Sequence, residues 1–574
     1  MVAQTLHTDI LILGAGGAGL FAALHAHKAA PELSITVAVK GLLGKCGCTR
    51  MVQGGYNVAL AREDSVERHF MDTIEGGKWL PDQDLAWQLV TLAVERIREL
   101  ENELGCFFDR NPDGTVHQKA FAGQTFDRTV HKGDLTGIEI MNRLAEQVWA
   151  RNIGRLEEHR AVELVKSNDG KSIAGVLFID MRTGEYVFVR AKAVLLATGG
   201  GPTMYKYHTP SGDKTCDGLA MALRAGLPLR DMEMVQFHPT GLLAGTHTRM
   251  TGTVLEEGLR GAGGYLLNGA KERFMQQYDP KGERATRDVV SRSMFTEMRK
   301  GKTTPHGGLY ISMAHLGPEK VRREFKGMVE RCADCGFDLA GGLVEVVPTA
   351  HYMMGGVEFG PDCSTALPGL FVAGEDAGGV HGANRLGGNG VANSTVFGAV
   401  AGDAMAQWVK GQGLRDPDHA AIEAAIAACE LPFRKAVSSN IESIRETLYD
   451  VMWDKVGIIR DAVGLAAAER ELAALDAELE RCSLPDANRA FNLTWHDWLN
   501  LRSLVAVSRV IAAAAIARTD SRGAHFRSDF PQAGALESSS FTSLQLEANR
   551  LQIRSKPVIF TRVRPGESLL KNAA

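Results

Sequence analysis

The chain has 574 residues, of which 45% are hydrophobic and 23% charged, and its formal net charge at pH 7 is -4. This length is enough for two to four domains, and the balance of charge excludes a strongly basic surface for nucleic acid or for an acidic membrane. Nine cysteines, an odd number spread along a long chain, indicate a reducing compartment rather than a disulfide framework. Because the first predicted strand begins near residue 9 and no apolar run is long enough to span a bilayer, we expect a cytoplasmic protein without its own membrane anchor.

The first predicted unit is a strand, a glycine-rich turn and a helix. Residues 9–13 are apolar after Asp9, a turn with glycines at 14, 16 and 19 follows, and an alanine-rich run of helical composition comes next. Glycines at this spacing directly after a strand are typical of dinucleotide-binding folds. Gly14 permits the tight turn, Gly16 lets the backbone approach a pyrophosphate, and Gly19 lets the helix pack on the strand. The helix N-terminus would present free N–H groups to the phosphates.

Later strand ends favour FAD over NAD as the dinucleotide. The second predicted strand, 34–40, ends in Lys40, where an acid often holds the ribose in NAD-binding proteins. Two further apolar runs lead into glycines, one near residue 198 and one near residue 374. One cofactor that contacts three strand ends far apart in sequence is typical of a large flavoprotein. Glu375 is our candidate for a ribose or ribityl hydroxyl.

The first half of the chain also contains predicted helices and a meander of strands. A glycine- and cysteine-rich loop covers 41–60, and helical patterns cover 82–105 and 134–151. Polar-punctuated apolar runs over about 161–190, separated by turn signals, predict a meander.

The second half divides into an insert, a helical segment and a tail. Around 231–350 the strand-and-glycine rhythm gives way to a segment rich in Gly, His and Arg. Since cofactor-type elements resume at 369, this insert looks like a separate lobe that closes over the flavin. Residues 415–519 are alanine-rich and helical, with a capping box predicted at Thr494-Trp-His-Asp497. The tail ends in a strand-like run at 557–562.

These elements predict an α/β protein. Its Rossmann-like FAD-binding domain carries an inserted α+β capping domain, and a helical domain and a small C-terminal segment follow. The predicted boundaries are 1–234 and 351–412 for the two parts of the FAD-binding domain, 235–350 for the capping domain, 413–530 for the helical domain and 531–574 for the C-terminal segment.

Five short stretches concentrate His, Arg and Glu among glycines. They are centred on His238, Glu257, Arg287, His351 and Arg385. A single histidine is more often a hydrogen-bonded structural residue than a catalytic one. Five such stretches in one flavoprotein indicate an anion pocket, because Arg and His are the residues that clamp carboxylates. The alternative is that these charges lie on a solvated rim of the lobe.

No metal site is predicted. Cys332 and Cys335 form a single C-x-x-C without a second pair at zinc spacing, and the cysteine clusters that hold iron–sulfur centres are absent from the sequence. If electrons leave the flavin for iron–sulfur clusters, those clusters belong to another chain.

The motifs together resemble the flavoprotein family of succinate dehydrogenase, fumarate reductase and L-aspartate oxidase, nearly end to end. They are the glycines at 14 to 19, Gln53-Gly54-Gly55, His238-Pro-Thr-Gly, Glu257-Gly-Leu-Arg260-Gly, Arg287-Asp-Val-Val, His351-Tyr-Met-Met-Gly-Gly, His381-Gly-Ala-Asn-Arg385-Leu-Gly-Gly-Asn389 and Ser521-Arg-Gly-Ala-His525. The resemblance implies an FAD-dependent oxidoreductase that moves hydride between flavin N5 and a C–C bond next to a carboxylate. The implied substrate is a dicarboxylate or a substituted carboxylic acid.

The resemblance also implies roles by position. His238, His351 and Arg385 would bind substrate carboxylates, and Arg287 would donate or accept the proton. Because a free arginine is a poor acid, its proton would return through a relay of Glu257 and Arg260. The cofactor-binding residues assigned from the glycine patches and the resemblance are Gly14, Ala15, Gly16, Gly17, Ala18, Gly19, Lys40, Cys48, Thr49, Gln53, Gly54, Gly55, Ala197, Thr198, Gly199, Asp217, Glu375, Arg385, Gly390 and Val391.

Cys48 departs from the family pattern. It lies five residues before Gln53, where membrane-bound members carry the histidine that bonds covalently to the flavin. We therefore expect FAD to be held non-covalently, and a cysteinyl link is the alternative.

Glu256 is the second departure. It stands where the family usually has a threonine whose hydroxyl donates to a substrate carboxylate, and in a desolvated pocket an ionised glutamate would repel that carboxylate. Either Glu256 is protonated or turned away, or the substrate offers a donor there, such as an amino or amide group. A harmless, outward-pointing Glu256 is equally consistent with the sequence.

Two other functions stay open from the sequence. One is an L-aspartate-oxidase-like enzyme with oxygen or fumarate as acceptor, and the other is an electron-transfer flavoprotein without its own substrate, acting as one subunit of a complex. The expected partners are a small carboxylic acid and an iron–sulfur or other electron-transfer subunit, with no nucleic acid. Such a subunit could hold the protein at the periphery of the inner membrane.

Overall fold

The computed structural model of the protein describes residues 1–245, 248–434 and 440–570. The strands of the described residues are β1 Val2–Leu13, β2 Ile35–Ala38, β3 Tyr56–Asn57, β4 Gln118–Lys119, β5 Thr129–Val130, β6 Gly154–Leu156, β7 His159–Lys166, β8 Ile173–Asp180, β9 Tyr186–Leu196, β10 Leu229–Arg230, β11 Val235–Leu242, β12 Tyr265–Leu267, β13 Leu309–Ser312, β14 Leu343–Met353, β15 Gly356–Val357, β16 Leu370–Val372, β17 Ser540–Glu547 and β18 Arg550–Pro557. The helices are α1 Gly17–Ala29, α2 Val66–Gly76, α3 Gln83–Asn102, α4 Thr136–Trp149, α5 Asp217–Arg224, α6 Gly258–Gly261, α7 Arg287–Arg299, α8 Pro318–Glu324, α9 Lys326–Asp334, α10 Asn389–Trp408, α11 His419–Cys429, α12 Ile441–Lys455, α13 Ala462–Arg481 and α14 Leu493–Ala517.

A seven-stranded sheet forms the body of the molecule. Its order is β6-β2-β1-β9-β8-β7, and β16 pairs with the end of β9. β1, β2, β6, β9 and β16 run parallel, whereas β7, β8 and β9 form an antiparallel meander. This meander confirms the one predicted over 161–190, and the helices predicted at 82–105 and 134–151 are present as α3 and α4.

Side chains of β1 alternate between two hydrophobic cores. Ile10 and Ile12 pack with α1, α3, α4 and α10, whereas Leu11 and Leu13 face the core that includes α5 and the helices after residue 419. A strand buried on both faces needs apolar residues at every position, which explains the continuous apolar run that the sequence shows there. The sheet is therefore covered by helices on both sides.

Three strands end at one edge of this sheet. β1 leads into Gly14, β9 into Ala197 and β16 into Gly374. Leu196 at the end of β9 pairs with Leu13 and also with Val372. Because the carboxyl ends of parallel strands mark the ligand crevice of α/β sheets, the three glycine patches converge as the sequence predicted.

The inserted segment builds a second sheet of order β11-β14-β13-β12, which is antiparallel. It has a hydrophobic core of its own, with Leu259, Met294 and Ile311 among its buried residues. α7 packs against β11. The five-part domain division made from the sequence stays a prediction.

Two local predictions are wrong. Asn492, not Thr494, caps α14, and its side chain accepts a hydrogen bond from the Trp495 backbone N–H. The Asn492 side chain satisfies one of the free N–H groups of the first turn, and the helix begins at Leu493, before the predicted box. The run 557–562 is not a strand, because β18 ends at Pro557 and a proline has no N–H to continue the ladder.

α14, Leu493–Ala517, is long and apolar enough to cross a membrane by length and composition. In the structure, 61% of its most apolar window is buried. It packs along α13 and α5, so burial within the protein accounts for its apolar composition.

Candidate active site

A cavity of about 560 Å³ runs along the strand ends and reaches the inserted segment. This volume is typical of small-molecule and cofactor sites. Every cofactor-binding residue predicted from the sequence lines the cavity except Gly19. Of the predicted catalytic and substrate-binding residues, only Arg260 lies outside the lining.

The glycine turn fits the pyrophosphate of a dinucleotide. Gly14 has φ +108°, and a Cβ there would lie 2.1 Å from the Ala197 carbonyl oxygen. Gly19 serves packing rather than the ligand, because its Cβ would lie 1.9 Å from the Gly14 oxygen. At Gly16 the nearest atom to an added Cβ is Thr49 Oγ1 at 3.7 Å. The Gly17 N–H, the first of α1, donates to Thr49 Oγ1 at 3.1 Å. Gly16, Gly17 and Ala18 line the cavity, so the N-terminus of α1, whose dipole favours phosphates, faces the ligand space.

Two acids follow β16: Glu375 lines the cavity, whereas Asp376 is buried behind it. Glu375 lines the cavity and accepts the backbone N–H groups of Met353 at 2.9 Å and Gly201 at 3.3 Å. Burial raises the pKa of Glu375 to about 7. Asp376 is fully buried and accepts from the Thr198 hydroxyl at 2.9 Å. Asp376 thus fixes the loop after β9, and Glu375 is the acid that can meet a ligand hydroxyl.

Lys40 and Asp217 form an ion pair at the same end of the cavity. Their Nζ and Oδ2 atoms are 2.9 Å apart, and Arg160 donates to the other Asp217 oxygen at 2.8 Å. Lys40 occupies the position at which NAD-binding proteins often have a ribose-binding acid. In this protein the lysine is paired with Asp217 instead. Both residues line the cavity.

Cys48 begins a short 3₁₀ turn, Cys48–Met51, and lines the cavity as a free thiol. Burial raises the pKa of this thiol above its ordinary value. A neutral thiol is a poor nucleophile. This environment supports non-covalent attachment of the cofactor.

Strand pairing brings His238 and His351 together. β11 pairs with β14 so that His238 faces Thr349, and the two rings lie 5.3 Å apart between centroids. Burial, together with Arg287, lowers the pKa of both histidines well below the ordinary value. The rings are therefore neutral near pH 7. The Thr240 backbone N–H donates to His238 Nδ1 at 3.3 Å, which leaves Nε2 as the donor of that ring.

Arg287, Glu257 and Arg260 form a continuous buried chain. Arg287 Nη2 lies 2.6 Å from Glu257 Oε2, and Arg260 Nη2 lies 3.0 Å from Glu257 Oε1. Burial alone would raise the pKa of Glu257, but the two guanidinium groups outweigh it and hold that pKa below its ordinary value. Arg287 is the first residue of α7 and lines the cavity, whereas Arg260 lies behind Glu257.

Arg385 is held without a carboxylate partner within the described part of the chain. Its guanidinium lies 4.4 Å from the Tyr352 ring centroid, and its Nη1 donates to the Leu386 carbonyl at 3.3 Å. Its Nε has no hydrogen-bond partner among the described atoms. Burial and Arg287 lower the pKa of Arg385 to about 10. A buried guanidinium with unused donors favours an anionic ligand.

Sequence reasoning gave no role to Gln236, although it links the two arginines. Arg287 Nη1 donates to Gln236 Oε1 at 3.1 Å, and Gln236 Nε2 donates to the Arg385 carbonyl at 2.7 Å. Gln236 is two residues before His238 on β11. Gln236 belongs to the same short motif as His238, and this position was the sequence signal that could have identified it as a site residue.

Glu256 is not turned outward, so that alternative is wrong. Its side chain is buried, lines the cavity and forms an ion pair with Lys119 of β4. Lys119 is 137 residues away in sequence, and no sequence signal connected the two. Burial raises the pKa of Glu256, and Lys119 opposes that shift.

Arg331 of α9 is another cavity residue that the sequence did not indicate. It donates to the Val254 carbonyl at 3.0 Å. With the Gln53 amide oriented so that its oxygen faces Arg331, Nη2 donates to that oxygen at 3.0 Å. Arg331 therefore ties the inserted segment to the loop at Gln53.

No group of three or more metal-ligating side chains exists in residues 1–245, 248–434 and 440–570.

The chain matches known flavoproteins over nearly its whole length. Residues 9–391 match the family model of an FAD binding domain, and residues 445–569 match that of the fumarate reductase flavoprotein C-terminal region. One subunit of the fumarate reductase (CoM/CoB) of Methanothermobacter marburgensis is 39% identical over 540 residues, which cover 93% of this chain and 96% of that protein. The fumarate reductase flavoprotein subunit of Escherichia coli is 36% identical over 92% of this chain and 89% of its own. A solved structure of an E. coli quinol fumarate reductase variant aligns with a TM-score of 0.92 at 33% identity, over 98% of this chain and 99% of that chain.

These matches confirm the predicted fold class and identify the cofactor as FAD, which the glycine turn and the cavity accommodate. The chain belongs to the fumarate reductase/succinate dehydrogenase flavoprotein family, whose members are FAD-dependent oxidoreductases that act on CH–CH groups.

Proposed function

We propose that this protein reduces or forms a C–C double bond next to a carboxylate of a dicarboxylic or substituted carboxylic acid, with Arg287 as the proton donor or acceptor. The observation that carries the proposal is the buried chain of Arg287, Glu257 and Arg260, whose first member lines the same cavity as His238, His351 and Arg385. The relatives are named as fumarate reductase subunits. FAD, when bound, supplies the hydride donor or acceptor.

His238, His351 and Arg385 would bind the substrate acid. Each neutral histidine offers one ring N–H, and Arg385 offers a charged group with an unpartnered Nε. Hydrogen bonds from a guanidinium to a carboxylate are about twice as strong as neutral ones. Arg385 would therefore supply most of the affinity, and the histidines would orient the acid.

Arg287 would exchange a proton with the carbon next to the one that exchanges hydride. Its Nε and Nη2 atoms lie 3.1 Å and 2.6 Å from the same Glu257 oxygen. A proton given up by Arg287 would be replaced through Glu257, and Arg260 continues the hydrogen-bonded path on the other side of that carboxylate. The arginines also stabilise the enolate-like charge that develops on the substrate, a kind of preorganised electrostatics that usually gives the largest catalytic effect.

Electrons would be exchanged with an iron–sulfur or other electron-transfer subunit. The relatives are described as flavoprotein subunits, and the described residues of this chain offer no metal cluster. We infer that any attachment to a membrane is peripheral and occurs through such a partner.

The proposal is tested by anaerobic reoxidation. The purified holoprotein is reduced, the excess reductant is removed, and fumarate, substituted acrylates or iminosuccinate is added while the flavin absorbance is followed. Return of the oxidised spectrum with fumarate or a substituted acrylate, and not with buffer alone, supports the proposal. Reoxidation by iminosuccinate alone, or reduction of the flavin by L-aspartate, would instead favour the aspartate-oxidase-like activity, and no response to any acid would favour an electron carrier.

A further inference from the structure

Glu256 places a hydrogen-bond acceptor in the part of the cavity that also holds the proposed substrate-binding residues. Its side chain is only 5% exposed, and it lines the cavity with Glu257, His238 and Arg331. An ionised carboxylate accepts hydrogen bonds and donates none. Whatever substrate group lies against it must therefore donate.

Lys119 favours the ionised form of Glu256 and opposes the effect of burial on its pKa. The Lys119 ammonium forms a direct ion pair with Glu256 Oε1, and it also lies 3.4 Å from the Gly133 carbonyl. Lys119 is not among the residues that line the cavity. The Glu256 carboxylate of this ion pair therefore faces the ligand space, whereas the Lys119 ammonium lies behind it and contacts protein atoms.

The charges around Glu256 do not favour a second anion. Asp134 and Glu257 both lie close enough to raise the pKa of Glu256 after burial has raised it. Arg331 is the nearby cation that lines the cavity, and it already donates to the Val254 and Gln53 oxygens. A substrate carboxylate at this position would meet an acceptor of the same charge.

We propose that the acid used by this site carries a neutral or cationic hydrogen-bond donor, such as a carboxamide, at the end that contacts Glu256, instead of a second carboxylate. This inference rests on the proposed function for the identity of the site. It changes the substrate class from symmetric dicarboxylates to unsaturated acids with one carboxylate and one donor group. Glu256 is the residue that selects between them.

Fumarate and its monoamide, fumaramate, form a matched pair of probes, because they differ only in replacement of one carboxylate by a carboxamide. Their dissociation constants are measured by calorimetry on the oxidised holoprotein. Their kcat/KM values are measured by anaerobic reoxidation, in which the double bond gains one hydride and one proton and the reduced flavin is oxidised. We expect fumaramate to bind about tenfold more tightly than fumarate, since a site built for a donor rejects a ligand that lacks it.

Three variants assign the preference to Glu256. Glu256→Thr, which restores a hydroxyl donor, is expected to shift the ratio of dissociation constants by about tenfold towards fumarate. Because this change leaves Lys119 unpaired, the double variant Lys119→Met with Glu256→Gln removes both charges, and the ratio is then expected to approach one. The matched control is Glu324→Gln on the exposed surface of α8, which is expected to keep the wild-type ratio. FAD content verifies that each variant is folded.

The outcomes separate the two proposals. Preference of the wild type for fumarate, or an unchanged ratio in Glu256→Thr and in the double variant, would overturn the donor assignment. Absence of binding by both acids would overturn it as well. Preferential binding of fumaramate without any reoxidation of the flavin would leave the donor assignment standing and refute the proposed reaction.

Discussion

His238 and His351, which we propose to orient the substrate acid, are neutral hydrogen-bond donors rather than cations. Burial and the neighbouring Arg287 lower their pKa values well below the ordinary value, so both rings are neutral near pH 7. The positive charge of the site then comes from Arg287 and Arg385. The residue types were predictable from the motifs, but their charge depends on burial.

Substitution of Arg287 by Ala is expected to lower the rate of flavin reoxidation about 10²- to 10⁴-fold, the usual contribution of a general acid or base. FAD should stay bound, because the side chain of Arg287 contacts Glu257 and Gln236 rather than the glycine turn. Stopped-flow absorbance and the flavin-to-protein ratio measure both effects. Arg284→Ala, at an exposed residue three positions earlier, is the control, and a rate in Arg287→Ala close to that of this control would contradict the assigned role.

Acid precipitation of the holoprotein is expected to release all of the flavin into the supernatant. The Cys48 thiol is half-buried at the cavity wall. Desolvation raises its pKa, so the thiol is neutral and lacks the nucleophilic form. Absorbance of supernatant and pellet measures the attachment directly. Cys48→Ala should show the same result with an unchanged flavin content, and yellow colour retained in the wild-type pellet would contradict non-covalent binding.

At the scale of elements, close backbone approaches decide where the cofactor can lie. α1 and α10 pack at two glycines, since a Cβ at Gly398 would lie 2.6 Å from the Ala18 carbonyl oxygen and one at Gly402 would lie 2.4 Å from that of Ala22. Gly14 likewise allows β1 to approach the loop after β9 closely, because a Cβ at Gly14 would clash with the Ala197 carbonyl oxygen. A side chain at any of these positions would separate elements that line the cavity.

Gly14→Ala is expected to abolish FAD binding or soluble expression, because the new Cβ would lie 2.1 Å from the Ala197 oxygen. Gly105→Ala is the matched control. Both glycines have positive φ, +108° and +81°, but nothing lies within 4 Å of a Cβ at Gly105. Gly105→Ala should therefore lower the free energy of unfolding only through backbone strain, by about 1 kcal/mol. Flavin content and thermal unfolding measure the difference, and equal behaviour of the two variants would refute the steric explanation.

At the scale of the whole molecule, a buried ion cluster joins distant parts of the chain. Arg518 follows α14 and pairs with Glu233 at 2.5 Å and with Asp231 at 3.3 Å. Glu233 also accepts the hydroxyl of Thr542 on β17 at 2.7 Å. All four side chains are at least 90% buried. The cluster thus connects the helical segment, the main body and the C-terminal strands.

Arg518→Leu is expected to reduce the free energy of unfolding by about 3–5 kcal/mol, because it leaves the buried Glu233 without its cation and Asp231 with Arg230 alone. Burial, together with Glu233, raises the pKa of Asp231 to about 6. Since a group with a raised pKa takes up its proton in the folded state as the pH falls, the loss should be smaller at about pH 5 than at about pH 8. Denaturant unfolding of the holoprotein at both pH values measures the effect. Arg509→Leu on α14, which removes an exposed pair with Asp476 of α13, should change stability by less than about 1 kcal/mol at either pH.

The sequence by itself determined the features that depend on local pattern. The glycine spacing from 14 to 19 predicted the turn, and three apolar runs that end in glycine predicted converging strand ends, because a parallel sheet brings carboxyl ends to one edge. The motifs carried the resemblance to the flavoprotein family, and that resemblance implied that Arg287, Glu257 and Arg260 act in one site. The glycine turn and each single motif lie within a few residues, so the sequence displays them directly.

Only the tertiary structure decided the contacts between segments that are distant in sequence. Lys119 and Glu256 are 137 residues apart, and Arg331 meets Gln53 across a still larger separation. No spacing rule connects such residues, because the contacts depend on how the inserted segment packs against the main body. The same packing removes water from His238, His351 and Glu256, and for that reason their charge states could not be derived from residue type.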